Sequence, residues 1–204
     1  MTTYKDLSGK FVRSVGSDPS AAVGEGEIWY NTSSNTFKTS IEVFAWASGG
    51  AMNTARRQIG GFGDTQNTGV AVCGQNPPAL SLTEEYNGSS WSAVTASPIA
   101  RIKPFANGSL TAGLVGGGEG APNSNNTAIE YDGTSWATPT SLPQTSQDGT
   151  SVGTQTSALL CVGVPSPNTA VLYYDGSSWT AGPAATPVQM GSASGCGASQ
   201  TSAV

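Results

Sequence analysis

Three stretches of this 204-residue chain spell nearly the same hairpin: Tyr86-Asn-Gly-Ser-Ser-Trp91, Tyr131-Asp-Gly-Thr-Ser-Trp136 and Tyr174-Asp-Gly-Ser-Ser-Trp179. Their tryptophans stand 45 and 43 residues apart, and a further 45 back from Trp91 lies Trp46, in the worn copy Ile41-Glu-Val-Phe-Ala-Trp46. A repeat of that period, built on an aromatic hairpin, predicts stacked four-stranded antiparallel blades. Such an array places its function on loops and surfaces, seldom in a single catalytic constellation.

The clearest copy predicts a first strand over Phe105 to Leu110 and an apolar second strand over Ala112 to Gly116. A loop rich in Asn and Pro follows, then a third strand over Thr127 to Tyr131 and a fourth over Ser135 to Thr138. Asp132-Gly133 joins the last two, because a tight turn needs the positive φ that Gly and Asp tolerate. The turn brings Tyr131 and Trp136 together as a cross-strand aromatic pair. The other copies match landmark by landmark, with Gly74, Gly117 and Gly163 after the second strands and prolines kept outside the central runs. Trp91, Trp136 and Trp179 are expected in equivalent, mostly buried places. Helical periodicity is absent, so the chain reads as all-β.

The units run over about 48–92, 93–137 and 138–180, with a partial copy over 181–204, and residues 1–47 form a leader outside the repeat. Within the leader, Ser17-Asp-Pro-Ser20 predicts a turn and Gly26 to Lys38 a β-hairpin. The last copy resembles first and second strands only. The blades therefore make either an incomplete ring, the favoured reading, or one closed by both termini.

Composition limits the partners. Only 10% of residues are charged, against ~25% in an ordinary domain. The net charge is −5 with no basic stripe, which argues against duplex nucleic acid and anionic membranes. No apolar run approaches the ~20 residues needed to span a bilayer. The start shows no secretory signal, predicting synthesis in the cytosol. Three widely spaced cysteines, Cys73, Cys161 and Cys196, make neither a disulfide framework nor a metal pair; Cys73 and Cys161 read as small apolar side chains.

The chain has no histidine, which removes the usual general base, the commonest metal ligand and any Ser-His or Cys-His nucleophile. Adjacent strand residues point to opposite faces, so Glu84 and Glu85 cannot jointly flank a glycosidic bond, and they read as solvated strand positions, as does Glu130. Gly116-Gly-Gly-Glu-Gly120 lacks the Lys and helix start of a phosphate loop. The four arginines, Arg13, Arg56, Arg57 and Arg101, are too scattered for a carboxylate-binding cluster. The expectation is a non-enzyme without cofactor or metal.

The glycine run in Leu114-Val-Gly-Gly-Gly118, followed by a Tyr and then a Trp, resembles the kelch repeat of β-propellers from about Ser48 onward; the other copies keep only one glycine of the doublet. The leader's Asp18-Pro19 and Trp29-Tyr-Asn-Thr32, with Asn53-Thr-Ala-Arg-Arg57 and the three hairpins, resemble kelch-like virion proteins of marine tailed phages. That resemblance implies a particle protein, a fibre or fibre-associated component made in the host cytoplasm, working as a homo-oligomer among other virion proteins. Its leader would dock to the particle through Trp29, Tyr30 and Phe37, and its blades would meet a glycan or protein of the host surface. Alternatives are a decoration or joining protein, part of a glycan depolymerase, and a cellular kelch adaptor; the missing histidine ligands argue against a copper oxidase.

Strand direction alternates within a blade, so second-to-third loops and blade connections are expected on one side. That side collects Gln75 to Pro78, Gly118 to Asn126 and Val164 to Asn168, with Arg101, Lys103 and Pro139 to Asp148. Loops on a rigid scaffold carry binding residues, which singles out Asn76, Asn123, Asn125, Asn126 and Asn168 as receptor-facing hydrogen-bonding groups.

Overall fold

The computed structural model describes residues 12–19, 28–39, 48–120, 126–138, 140–164, 169–182 and 186. The chain divides into two compact units, Met1–Ser48 and Gly49–Val204. Among the described residues every regular element is a strand.

In the second unit the repeat becomes three four-stranded antiparallel sheets. The first blade contains β4 (Gly60–Thr65), β5 (Thr68–Val72), β6 (Thr83–Tyr86) and β7 (Trp91–Ala93). The second contains β8 (Phe105–Ser109), β9 (Ala112–Gly116), β10 (Ala128–Tyr131) and β11 (Trp136–Ala137). The third contains β12 (Thr150–Thr154), β13 (Ser157–Cys161), β14 (Val171–Tyr174) and β15 (Trp179–Ala181). Each sheet is a simple meander, and β8 lies between β4 and β12, so the first strands of neighbouring blades pack together. This is a propeller-like arrangement of blades, and no closed ring forms among the described residues.

Alternation along the strands splits each sheet between two neighbours. Leu114 and Ala128 join Leu160, Leu172 and Tyr174 in the seam between the second and third blades. Val115 and Ile129 join Val72 and Cys73 in the seam between the first and second. Each fully buried aliphatic side chain contributes about 1.5–3 kcal/mol. The seams also carry one hydrogen bond of a fixed kind. Tyr131 donates its hydroxyl to Glu85 at 2.7 Å, and Tyr174 donates to Glu130 at 2.8 Å.

The hairpins close as the sequence predicts. Asp132 accepts from the backbone N–H of Thr134 and Ser135 and from both hydroxyls, and Asp175 does the same for Ser177 and Ser178. Asn87 accepts the equivalent bonds in the first blade. The tryptophans are equivalent too: each opens the fourth strand opposite its tyrosine, ring centroids 4.7–5.1 Å apart. The expected deep burial falls on the wrong partner. Tyr131 and Tyr174 are wholly buried, whereas Trp91, Trp136 and Trp179 are half-buried. The tyrosine stands on the third strand, flanked by strands on both sides and facing the preceding blade. The tryptophan stands on the last strand, with no further strand beyond it among the described residues.

Gln58, Lys103 and Asp148 recur every 45 residues with φ of 57°, 55° and 53°. Lys103 N–H donates to the Gln58 carbonyl at 2.9 Å, and Asp148 N–H donates to that of Lys103 at 3.4 Å. A left-handed backbone costs a side-chain-bearing residue about 1–2 kcal/mol, and the copies bear it in phase, with Gln58 and Lys103 each turning a carbonyl towards the next unit. The sequence-marked glycines permit close backbone approaches: a Cβ on Gly117 would sit 2.3 Å from the Ser146 carbonyl oxygen of the next unit, and one on Gly163 2.2 Å from the Gln147 carbonyl oxygen of its own unit.

The leader is more than the expected hairpin. β2 (Ile28–Asn31) and β3 (Thr36–Thr39) form it, and β1 (Arg13–Val15) adds a third strand, parallel to β2. Parallel pairing needs a crossover, which a period-two reading of the hairpin alone does not reveal.

Burial ranks the aromatic pair for mutation. Tyr131→Ala is expected to cost ~3–5 kcal/mol and the half-buried Trp136→Ala roughly half that. Tyr131→Phe, which only strips the seam hydrogen bond, is expected to cost about 1–2 kcal/mol. Urea denaturation of the three variants checks the order; equal losses for Tyr131→Ala and Trp136→Ala contradict it.

Candidate functional site

The second-to-third loops of the first two blades and the connection between those blades do meet on one side. Pro78 and Ala79 from the first blade's loop, Pro98 to Ala100 and Ile102 from the connection, and Glu119 and Gly120 from the second blade's loop line an open groove of about 520 Å³. Its walls are tied together by backbone. Ile102 and Glu119 exchange N–H···O bonds of 2.6 and 2.7 Å, and Gln75 bridges both Arg57 and Ala79. The Ser97 hydroxyl brackets Ile99, 3.0 Å from its carbonyl and 3.3 Å from its N–H. The surface is mostly aliphatic, and Glu119, an exposed residue, is the one charged member among the described residues that line it.

Only part of the sequence-marked set belongs to this face. Asn76 is exposed beside the groove wall. Asn126 is already engaged, since its amide donates to the Leu142 carbonyl at 3.2 Å while its own carbonyl accepts from Leu142 N–H. Asn123, Asn125 and Asn168 lie outside the described residues. Lys103 forms an ion pair with Asp148 at 2.8 Å, which raises its pKa. Arg101 is corrected outright: it is fully buried, donating through Nη1 to the carbonyls of Gly117 and Thr127 at 2.9 Å. It cannot reach a receptor.

The carboxylates are corrected as well. Glu84 and Glu85 do face opposite ways, but neither is a solvated strand position. Glu84 is buried and forms an ion pair with the buried Arg56, while accepting from Asn53 N–H at 2.7 Å. Burial alone would push its carboxyl up; the Arg56 guanidinium and the Asn53 N–H outweigh that and hold it below the usual range. Glu85 and Glu130 are the seam acceptors of Tyr131 and Tyr174. Every one of these groups is consumed by the scaffold.

Comparison of the copies exposes an imbalance. Arg101 stands 45 residues after Arg56, but the residue 45 after Glu84 is Ile129. Among the described residues Arg101 therefore lies buried without a carboxylate, its Nε and Nη2 unbonded. Burial lowers its pKa. Cys73 is fully buried as expected, its thiol pushed up by burial, whereas Cys161 is half-buried. Cys196 lies outside the described residues. Among the described residues no three His, Cys, Asp or Glu side chains group closely enough to hold a metal ion.

In the leader, Asp18 organises one face of the sheet. Its carboxylate accepts from the Trp29 indole at 3.1 Å, from the Asn31 amide at 2.7 Å and from Lys38 at 2.5 Å. Trp29 is therefore 8% exposed and cannot lose exposure on docking as an anchor residue would. Tyr30 and Phe37 point the other way, rings 5.0 Å apart, and Ile28 joins them; Phe37 and Ile28 are 64% and 57% exposed. The anchor candidates thus become Ile28, Tyr30 and Phe37. Strand alternation could have separated Trp29 from Tyr30, whereas nothing in the sequence marked Asp18 as their divider.

Two measurements test these assignments. Lys38, Asn31 and Trp29 hold the Asp18 carboxyl down at about 2. A group depressed in the folded state contributes stability that is fully present above its unfolded pKa of ~3.9 and is lost as pH falls through the folded value. The Trp29 indole N–H resonance is thus expected to hold steady from neutral pH to about 4, then move towards pH 2; Asp18→Asn is expected to abolish that step. In the blades, Ile129→Glu gives Arg101 the partner that Arg56 has. It is expected to be tolerated beside Arg101 and strongly destabilising with Arg101→Leu, a coupling of ~2–3 kcal/mol. Additive losses in that cycle reject the pairing.

No protein-family model matches this chain, and no curated protein matches it, so its functional reading rests on its residues and their geometry.

Proposed function

We propose that this chain is a non-enzymatic structural protein of a tailed-phage particle, of fibre or fibre-associated kind, that meets the host surface through the loop face of its blades. The observation that carries the reading is a division of labour within the repeat. The strands agree in position, pairing and aromatic landmarks, whereas the loops that line the groove differ in length and content between copies. Ionisable groups on the strands are engaged in blade contacts, which leaves the loops as the variable surface. The virion part of the reading rests on the resemblance of the leader and the hairpins to kelch-like phage proteins. The exposed Ile28 and Phe37, with the half-buried Tyr30 beside them, give the leader an apolar face of the type that docks against another protein. Contact with a host would be weak per copy and gain strength from many copies.

A decoration or joining role is the second reading, and the same apolar leader face favours it equally. Two sets of particles separate the two. Particles carrying Ile28→Asp with Phe37→Asp are expected to lack the protein although it folds, because both side chains are exposed. Particles carrying Asn76→Arg with Pro78→Arg are expected to contain it and to adsorb to host cells about tenfold more slowly, since multivalency amplifies a small loss per site. Adsorption unchanged by the second pair rejects the recognition role in favour of the joining one.

A further inference from the structure

We propose that the groove between the first two blades takes an extended apolar peptide segment bearing a lysine or arginine, whose cation sits against Glu119. The inference rests on the recognition reading and narrows its ligand to a protein.

The lining decides the chemistry. Pro78, Pro98, Ile99 and Ile102 offer irregular aliphatic walls with no aromatic ring and no side-chain amide or hydroxyl among them. A neutral pyranose needs several fixed side-chain hydrogen-bonding partners, which these four residues do not supply; aliphatic side chains need only area. The volume of about 520 Å³ is within the range of small-ligand sites and accommodates about two or three side chains.

One polar group then sets orientation. Glu119 is exposed, its backbone is fixed on both sides by the bridge to Ile102, and its carboxylate has no ion-pair partner among the described residues. Lys103 is close enough to feel the Glu119 charge, but its ammonium is bonded to Asp148 at 2.8 Å. A carboxylate at the edge of an aliphatic groove, on a chain of net charge −5, draws a cation attached to an apolar body. Lysine and arginine have that composition, since their methylene stems pack on apolar surface while the charge stays at the rim.

The test uses the full chain with ¹³C-labelled isoleucine methyls, which places reporters at Ile99 and Ile102. The probes are acetyl-alanyl-leucyl-lysine amide and its glutamine and glutamate counterparts, with methyl α-glucopyranoside as the sugar. The lysine peptide is expected to shift both methyls and to bind about threefold more tightly than the glutamine peptide, the scale of an exposed ion pair. Glu119→Gln is expected to erase that preference, and Glu119→Lys to transfer it to the glutamate peptide. The side chain is exposed, so both variants keep the fold, and unchanged methyl spectra without ligand verify this. Equal binding of the three peptides, or shifts by the glucoside alone, overturns the proposal. If no peptide binds while Asn76→Arg with Pro78→Arg still slows adsorption, this inference fails and the recognition face stands.

Discussion

The hydroxyl of a buried tyrosine, donated to a glutamate one repeat earlier, is the contact on which the blade array depends. Tyr131 reaches back to Glu85 and Tyr174 reaches back to Glu130. Both tyrosines are wholly enclosed, so an unmade bond would leave a polar atom stranded in the seam. The bond also fixes register. A one-residue slip in β10 would carry Tyr131 to the opposite face and bring Glu130 in its place. Apolar burial supplies most of the attraction between blades, and this bond selects one alignment among the many that apolar surfaces permit.

Much of the fold could be read in advance because its signals are local. Asp132-Gly133 and Asp175-Gly176 are four residues from the tryptophans they position, and the turn chemistry forces the pairing. The seams could not be read the same way. Arg56 and Glu84 are 28 residues apart and meet only because a connection crosses the face of the first blade. Glu84 and Glu85 looked alike in a strand, and their separate duties became visible only once the neighbours on each face were known. Asp18 is a similar case, since a turn residue beside Pro19 gave no sign that three side chains from a hairpin would converge on it.

The candidate site was legible as a side of the molecule and much less as a set of residues. Strand direction alone places Pro78, Ile99 and Glu119 together, and they share one groove. Side-chain chemistry alone favoured asparagines and Arg101. Of the two asparagines that can be followed among the described residues, Asn76 is exposed beside the groove, whereas Asn126 ties down the chain at Leu142, and Arg101 is inside. Polar residues in a repeat array divide between scaffold and surface, and composition does not say which is which. The groove that emerged is aliphatic, a property that a search for hydrogen-bonding side chains would pass over.

The seam residues also change in one direction along the chain. At the position of Arg56 the next two copies have Arg101 and Ser146; at that of Glu84 they have Ile129 and Leu172; at that of Glu85 they have Glu130 and Tyr173. The first blade offers a carboxylate to its successor and keeps an internal ion pair, the second offers a carboxylate but has lost the anion of its pair, and the third has neither. Blades that look interchangeable by strand pattern are thus addressed by position. Exchanging the second and third would set Tyr173 where Tyr131 must find a carboxylate, and would move Arg101 into a different seam. The order of the copies is written into their contacts, so a chain that moved the third unit ahead of another would have to rewrite that seam.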